Sequence, residues 1–215
     1  MSWSMNEIDG LARKAVRGAG YSWGLAEEAG KAVRWLTSFS LPGPEMLAAH
    51  LPKVDGVAYA DLCPALSLGV WRAAGGTLCP LATGPALMDR SGAASDEGVT
   101  LGAIACPLLI LPSVASVAVL TGQAMMLDWD GFRAIVAPGR QLEIAESDGM
   151  QALMVETVTI GPSNTPPVPN CASVYRYALD PAVAASLGGF AHRTYAPDTE
   201  ESRLAGAGAG LTDND

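Results

Sequence analysis

Charge is scarce in this chain, and lysine is scarcer still. Lys, Arg, Asp and Glu make up 16% of its 215 residues, against about 25% in ordinary globular domains. A surface so poor in charge must be covered by small residues or by another copy of the chain, so self-association into a homo-oligomer is expected. The three lysines are Lys14, Lys31 and Lys53. The first two fall on polar helix faces and Lys53 sits in a proline-flanked loop, which leaves lysine-based covalent chemistry without support. Bases are also unclustered: residues 141–215 carry ten acids against three bases. An acidic half repels a phosphate backbone, so no nucleic-acid partner is expected.

Several motifs are missing as well. The single GxSxG match, Gly20-Tyr21-Ser22-Trp23-Gly24, falls in a turn between two predicted helices rather than after a strand. Neither His50 nor His192 has an evident Asp or Ser partner, and no GxxxxGK phosphate loop is present, which leaves the common serine-hydrolase and nucleotide-phosphate readings without support. The four cysteines, Cys63, Cys79, Cys106 and Cys171, form no CxxC pair and stand far from both histidines, so no metal site is expected. Cys63, Cys79 and Cys106 each precede a proline, and they read as buried free thiols in extended backbone. Met1-Ser2-Trp3-Ser4 leads into Glu7 and Asp9 rather than a basic segment. With unpaired cysteines, that predicts a cytoplasmic protein without disulfides.

Apolar residues, by contrast, are plentiful at 49%, enough for a substantial core. Ser4-Met5-Asn6-Glu7 is a capping box that opens a helix with the stripe Ile8, Leu11, Ala12, Ala15 and Val16. A second helix runs from about Ser22 to Ser38, and the two form a hairpin about Gly18-Ala19-Gly20-Tyr21. A short helix is predicted at Pro44–Leu51, strands and turns over 52–107 with a brief helix near Leu81–Arg90, and a surface loop at Ser91–Gly98. Gly98 to Leu127 holds no charge, long enough to cross a bilayer. Pro107, Pro112 and acidic flanks argue instead for a buried strand around Leu108–Leu120, so no membrane partner is expected. Asp130-Gly131 predicts a hairpin between Met125–Trp129 and Phe132–Ala137. Strands at Gln141–Ala145 and Leu153–Ile160 extend it into an antiparallel meander. Ala172–Ala178 is a further strand. Asp180-Pro181 caps a helix that continues through Leu187 and breaks at Gly188-Gly189, and Glu200–Leu204 can form one more turn.

The fold class is therefore α+β, an N-terminal helical hairpin on an antiparallel β meander with short C-terminal helices. It forms one domain over 1–215. Within it, 1–51 is helical, 52–178 mainly β, 179–204 helical, and 205–215 a Gly-rich tail.

Three places could carry chemistry. His192, Arg193, Tyr195, Arg203 and the run Gly206, Gly208 and Gly210 combine a proton-transfer group, anion clamps and approachable backbone amides. That set predicts an anion site with His192 as the catalytic acid or base and the others binding ligand. A GAGAG run with no strand before it names no cofactor. The second place is the turn Gly18 to Gly24, where Tyr21, Ser22 and Trp23 enter a helix N-terminus and could hold a ligand, or simply let two helices pack closely. The third is Asp128 and Asp130, which with Glu143 or Glu146 could meet a divalent cation, though solvated turn acids are the plainer reading.

The opening "SWSMNEIDGLARKAVRGAGYSWGLAEEAGKAVRWL" and the ending "RTYAPDTEESRLAGAGAGLTDND" resemble an uncharacterised bacterial family labelled only as a domain of unknown function. The resemblance implies a bacterial, cytosolic setting and no assigned activity. The helical opening is also similar to that of the malate/L-lactate dehydrogenase family unrelated to Rossmann enzymes. Its Ser-His-Gly motif after the second helix is absent here, His50 standing in Ala49-His50-Leu51, and no residue is carried over. Two functions follow as expectations. One is binding of a small anionic metabolite by an orphan enzyme or accessory protein. The other is a non-catalytic or regulatory subunit that binds another protein through a low-charge surface. A reductase using a nicotinamide cofactor is a third and more distant reading. No motif settles whether the chain is an enzyme.

Overall fold

The computed structural model describes residues 2–66 and 69–195. A short strand, β1 (Ser2–Ser4), leads into α1 (Met5–Gly18), whose capping box forms as the spacing predicts: Glu7 N–H donates to Ser4 Oγ and Ser4 N–H to the Glu7 carboxylate. Ser22 caps α2 (Trp23–Ser38), and α1 packs antiparallel to it. The third helix, α3 (Gly43–Val54), runs past the predicted end and takes Lys53 into its last turn. Lys53 therefore projects from a helix rather than a loop. After it come α4 (Tyr59–Leu62), β2 (Pro64–Ala65), β3 (Val70–Ala73) and α5 (Pro80–Asp89).

The chain departs from the sequence reading next. Ser91–Gly98 is not a surface loop; it begins with α6 (Ser91–Asp96), whose Ala94 and Ser95 are buried. After β4 (Val99–Leu101) and β5 (Ile104–Ala105), the stretch predicted as a buried strand is helical. It comprises a 3-10 turn at Pro107–Ile110 followed by α7 (Leu111–Thr121). Each proline lies in the first turn of its element, where the missing N–H costs no hydrogen bond. No helix among the described residues is long and apolar enough to cross a membrane.

The hairpin β6 (Met125–Trp129) and β7 (Phe132–Ala137) turns at Asp130-Gly131 as expected, and β8 (Gln141–Glu146) completes a meander. The segment read as one strand at Leu153–Ile160 divides into β9 (Met154–Val155), which pairs with β5, and β10 (Val158–Pro162), which lies between β4 and β6. The larger sheet thus has the order β2-β3-β4-β10-β6-β7-β8, antiparallel except for β3 with β4. Finally β11 (Arg176–Ala178) pairs with β1, and α8 (Pro181–His192) starts on its Asp180 cap. It runs through Gly188-Gly189 without breaking.

The molecule is α+β. α7 lies on β6 and β7, and the α1–α2 hairpin packs with α8, α3, α5 and α7. One continuous apolar core joins the layers. All four cysteines are free.

Candidate functional site

His50 lies in the apolar stripe of α3, between Leu47 and Leu51 and in line with Met46 and Val54. Helical spacing carries all of them into the core, and His50 is fully buried. Its Nε2 stands 3.2 Å from Cys79 Sγ, and Tyr21 Oη lies 3.1 Å from the same sulfur. Cys79 is the extended residue before Pro80, at the N-cap of α5, so its thiol faces the amides of the first turn. The backbone N–H groups of Leu81 and Ala82 and the Tyr21 hydroxyl favour its charged form, but burial outweighs them and holds the thiol protonated. Burial, reinforced by the charge of Lys53, pushes the His50 pKa from 6.5 down to about 4. The pair is a neutral thiol beside a neutral imidazole. His50 Nδ1 has no hydrogen-bond partner among the described residues.

Two clefts meet at this chain of side chains. The larger, about 610 Å³, is lined by Gly20, Tyr21, Ser22 and Leu25 on one side and Val54, Val57, Tyr59 and Leu62 on the other. It opens on the turn at Gly18–Gly24 that the sequence marks as a possible ligand site. The smaller, about 280 Å³, is lined by His50, Lys53, Asp61, Thr77, Ala105 and Met154 among others, and shares Val54, Val57 and Leu62 with the first. Cys79 therefore bonds to a wall residue of each cleft. At the mouth of the smaller one, Lys53 Nζ donates to the Leu153 carbonyl over 3.1 Å, and Cys106 N–H donates to the same oxygen over 3.2 Å.

Cys106 is not in the extended backbone expected before proline. Its φ of 43° and ψ of 58° place it in the left-handed region, costly for a side chain with a Cβ and disfavoured before proline. Cys79 does keep the extended form and is buried; Cys63 is extended but only half buried.

The residues expected to form an anion site are placed as follows. His192, Arg193 and Tyr195 end α8 on the surface. The His192 and Tyr195 rings meet edge to face, 5.7 Å apart, and Lys14 donates to Tyr195 Oη. Arg193 is engaged by both carboxylate oxygens of Asp55 at 2.8 and 2.9 Å and covers the Phe190 ring. Asp55 stands between Val54 and Gly56, so that ion pair borders the larger cleft, which none of the three lines. Arg203, Gly206, Gly208 and Gly210 lie outside the described residues, as does the turn predicted at Glu200–Leu204. Asp128 is paired with Arg133 at 2.6 Å, and Glu143 accepts the Val168 N–H. No cluster of three or more metal-ligating side chains occurs among the described residues.

The Tyr21–Cys79–His50 chain was not read from the sequence. Its visible signal is a histidine on the apolar stripe of a helix, a polar group that must find a partner once buried. Identifying that partner requires the tertiary fold, because Cys79 is 29 residues away.

Residues 3–79 match the family described as "Protein of unknown function (DUF3726)", in agreement with the resemblance of the opening segment. No curated protein matches the chain. Among solved structures, a malate dehydrogenase from Entamoeba histolytica is similar at 11% identity and a TM-score of 0.43, over 68% of this chain. This chain spans about half, 49%, of that structure's length.

Proposed function

We propose that the protein binds a small anionic metabolite in the paired clefts between the α1–α2 turn and the α3–α4 segment. The observation that carries this reading is a buried polar chain, Tyr21–Cys79–His50, standing between two largely apolar clefts with one nitrogen unsatisfied. Buried polar groups are normally hydrogen-bonded, and an apolar recess with a few placed polar groups is the usual form of a small-molecule site. Lys53 supplies positive charge at the rim. The setting is cytoplasmic, as the free thiols favour. His192, proposed for proton transfer, and Arg193 belong to the neighbouring surface, where the Arg193–Asp55 pair steadies the cleft edge.

The test is thermal unfolding against a library of metabolites, with Val57→Trp beside the wild type. Val57 is 41% exposed and lines both clefts, so the larger ring is tolerated by the fold while obstructing the stretch that the two clefts share. A ligand at a hundredfold excess over its Kd should stabilise the wild type by about 2.7 kcal/mol and leave Val57→Trp unmoved. Equal stabilisation of both proteins would place the ligand elsewhere.

A second reading, partner binding or self-association through a low-charge face, is favoured by one feature. Val119 and Leu120 are 62% and 64% exposed at the end of α7. They border an apolar cleft of about 440 Å³ with Trp35 and Ala115.

A further inference from the structure

We infer that His50 and Lys53 form the recognition end of the smaller cleft for a monocarboxylate with an apolar body. This rests on the ligand-binding reading above and names the ligand class it would take. The two residues stand three apart on α3, and side chains at that spacing share a helix face. Both line the cleft, with Val54, Val57, Leu62, Leu78 and Met154 supplying its apolar walls.

Hydrogen positions along the buried chain decide what His50 offers. The Cys79 thiol carries one hydrogen and His50 Nε2 is 3.2 Å away. With S–H donating to Nε2, Tyr21 O–H donates to sulfur, and the imidazole hydrogen resides on Nδ1. Every donor in the chain is then used except Nδ1–H, an unpaired donor enclosed in the free protein, which a carboxylate oxygen entering the cleft would reach as the wall around His50 gives way. Leaving such a donor unpaired is destabilising, so a ligand that satisfies it recovers that loss on binding. Lys53 adds a charge-assisted contact, since its ammonium has three donors and the structure gives it one acceptor, the Leu153 carbonyl.

The charge balance of the cleft sets the limit. Asp61 lines the same cleft, and no ion pair joins it to Lys53 among the described residues. Lys53 and Asp61 cancel in the empty cleft, so a single negative charge, held by the ammonium and the neutral donor together, is the most the site accommodates. A dianion would meet Asp61 without a second cation to offset it. The apolar walls in turn disfavour a small, fully hydrated anion.

The experiment is a long-range proton–nitrogen correlation spectrum of the nitrogen-labelled full chain, titrated with benzoate and isovalerate, and with benzamide and inorganic phosphate for comparison. The chain has two histidines, so His192 serves as the internal reference. The expected result is a protonated Nδ1 on His50 in the free protein. Its resonance should move with either carboxylate, more weakly or not at all with benzamide and phosphate, while His192 stays still. Lys53→Ala should weaken carboxylate binding by about tenfold, equivalent to 1.4 kcal/mol, and Lys53→Arg should retain most of it. A His50 hydrogen on Nε2, a His50 signal unmoved by both carboxylates, phosphate acting as strongly as benzoate, or an unchanged Lys53→Ala would each overturn the inference. If the carboxylates bind, lose binding in Val57→Trp and yet leave His50 unmoved, the ligand-binding reading stands and this one fails. If neither the carboxylates nor the metabolite library shows binding that Val57→Trp removes, both fail.

Discussion

At the scale of single residues, His50 is the most informative side chain. A buried histidine without a counter-charge is stable only when neutral, and its pKa falls from 6.5 to about 4 chiefly through burial. Between those values the unfolded chain binds a proton at this position that the folded chain does not. Stability linked to His50 is therefore complete above about pH 6.5 and is lost as pH falls towards about 4, on the order of 3 kcal/mol in all. Urea unfolding of wild type and His50→Gln at about pH 7 and about pH 4.5 should show it: the variant loses less stability on acidification. Equal losses in the two proteins would mean that other groups account for the acid sensitivity. Part of this was visible before folding was known, because Met46, Leu47, His50, Leu51 and Val54 share one helical stripe. The thiol that completes the pair was not, since Cys79 reads only as one more cysteine before proline.

Secondary-structure elements show which local signals hold. Caps and tight turns do: Ser4 with Glu7, Ser22, Asp180-Pro181 and Asp130-Gly131 all act as their chemistry requires, because each interaction closes within a few residues. The Leu108–Leu120 segment does not. It is apolar on every side, so no period marks it as helical, and its β-branched residues point the wrong way. Burial of Leu111, Val114, Val117 and Ala118 between helices and sheet settles the outcome. Gly188-Gly189 is similar, a weak helical pair held in α8 by packing on α1. Two glycine substitutions should then differ in sign. A Cβ on Gly18 would collide with the Phe190 carbonyl, whereas one on Gly188 meets nothing within 4 Å. Gly18→Ala is expected to cost about 1–3 kcal/mol by prising α1 from α8. Gly188→Ala should gain about 0.5–1 kcal/mol. Urea midpoints of the two variants against wild type decide the matter, and a neutral Gly18→Ala would refute the close approach.

Over the whole molecule, the thiols report how far the structure opens. Cys63 and Cys171 are half buried, while Cys79 and Cys106 are buried in the core. Aromatic disulfide reagent should label two thiols readily in the native protein. The other two should react only as fast as the fold opens, their labelling rising with urea in step with loss of ellipticity. Rapid labelling of three or more would show that the region around the clefts opens separately from the rest. The two ends of the described chain are tied through β1 and β11, whose pairing spans Ser2 with Ala178 to Ser4 with Arg176. Opening at one end is thereby coupled to the other.

Composition, caps and turn residues were enough to establish an α+β chain with an N-terminal helical hairpin, a hairpin at Asp130-Gly131 and free cysteines. Those are properties of neighbours in sequence and of overall apolar content, and both are fully present in the primary structure. Strand order, the helical state of α7, the division of Leu153–Ile160 between two sheets and the meeting of Tyr21, His50 and Cys79 arise otherwise. Each depends on contacts between distant segments, whose energies come from burial and from satisfying buried polar atoms. No local pattern encodes which distant surface does the burying.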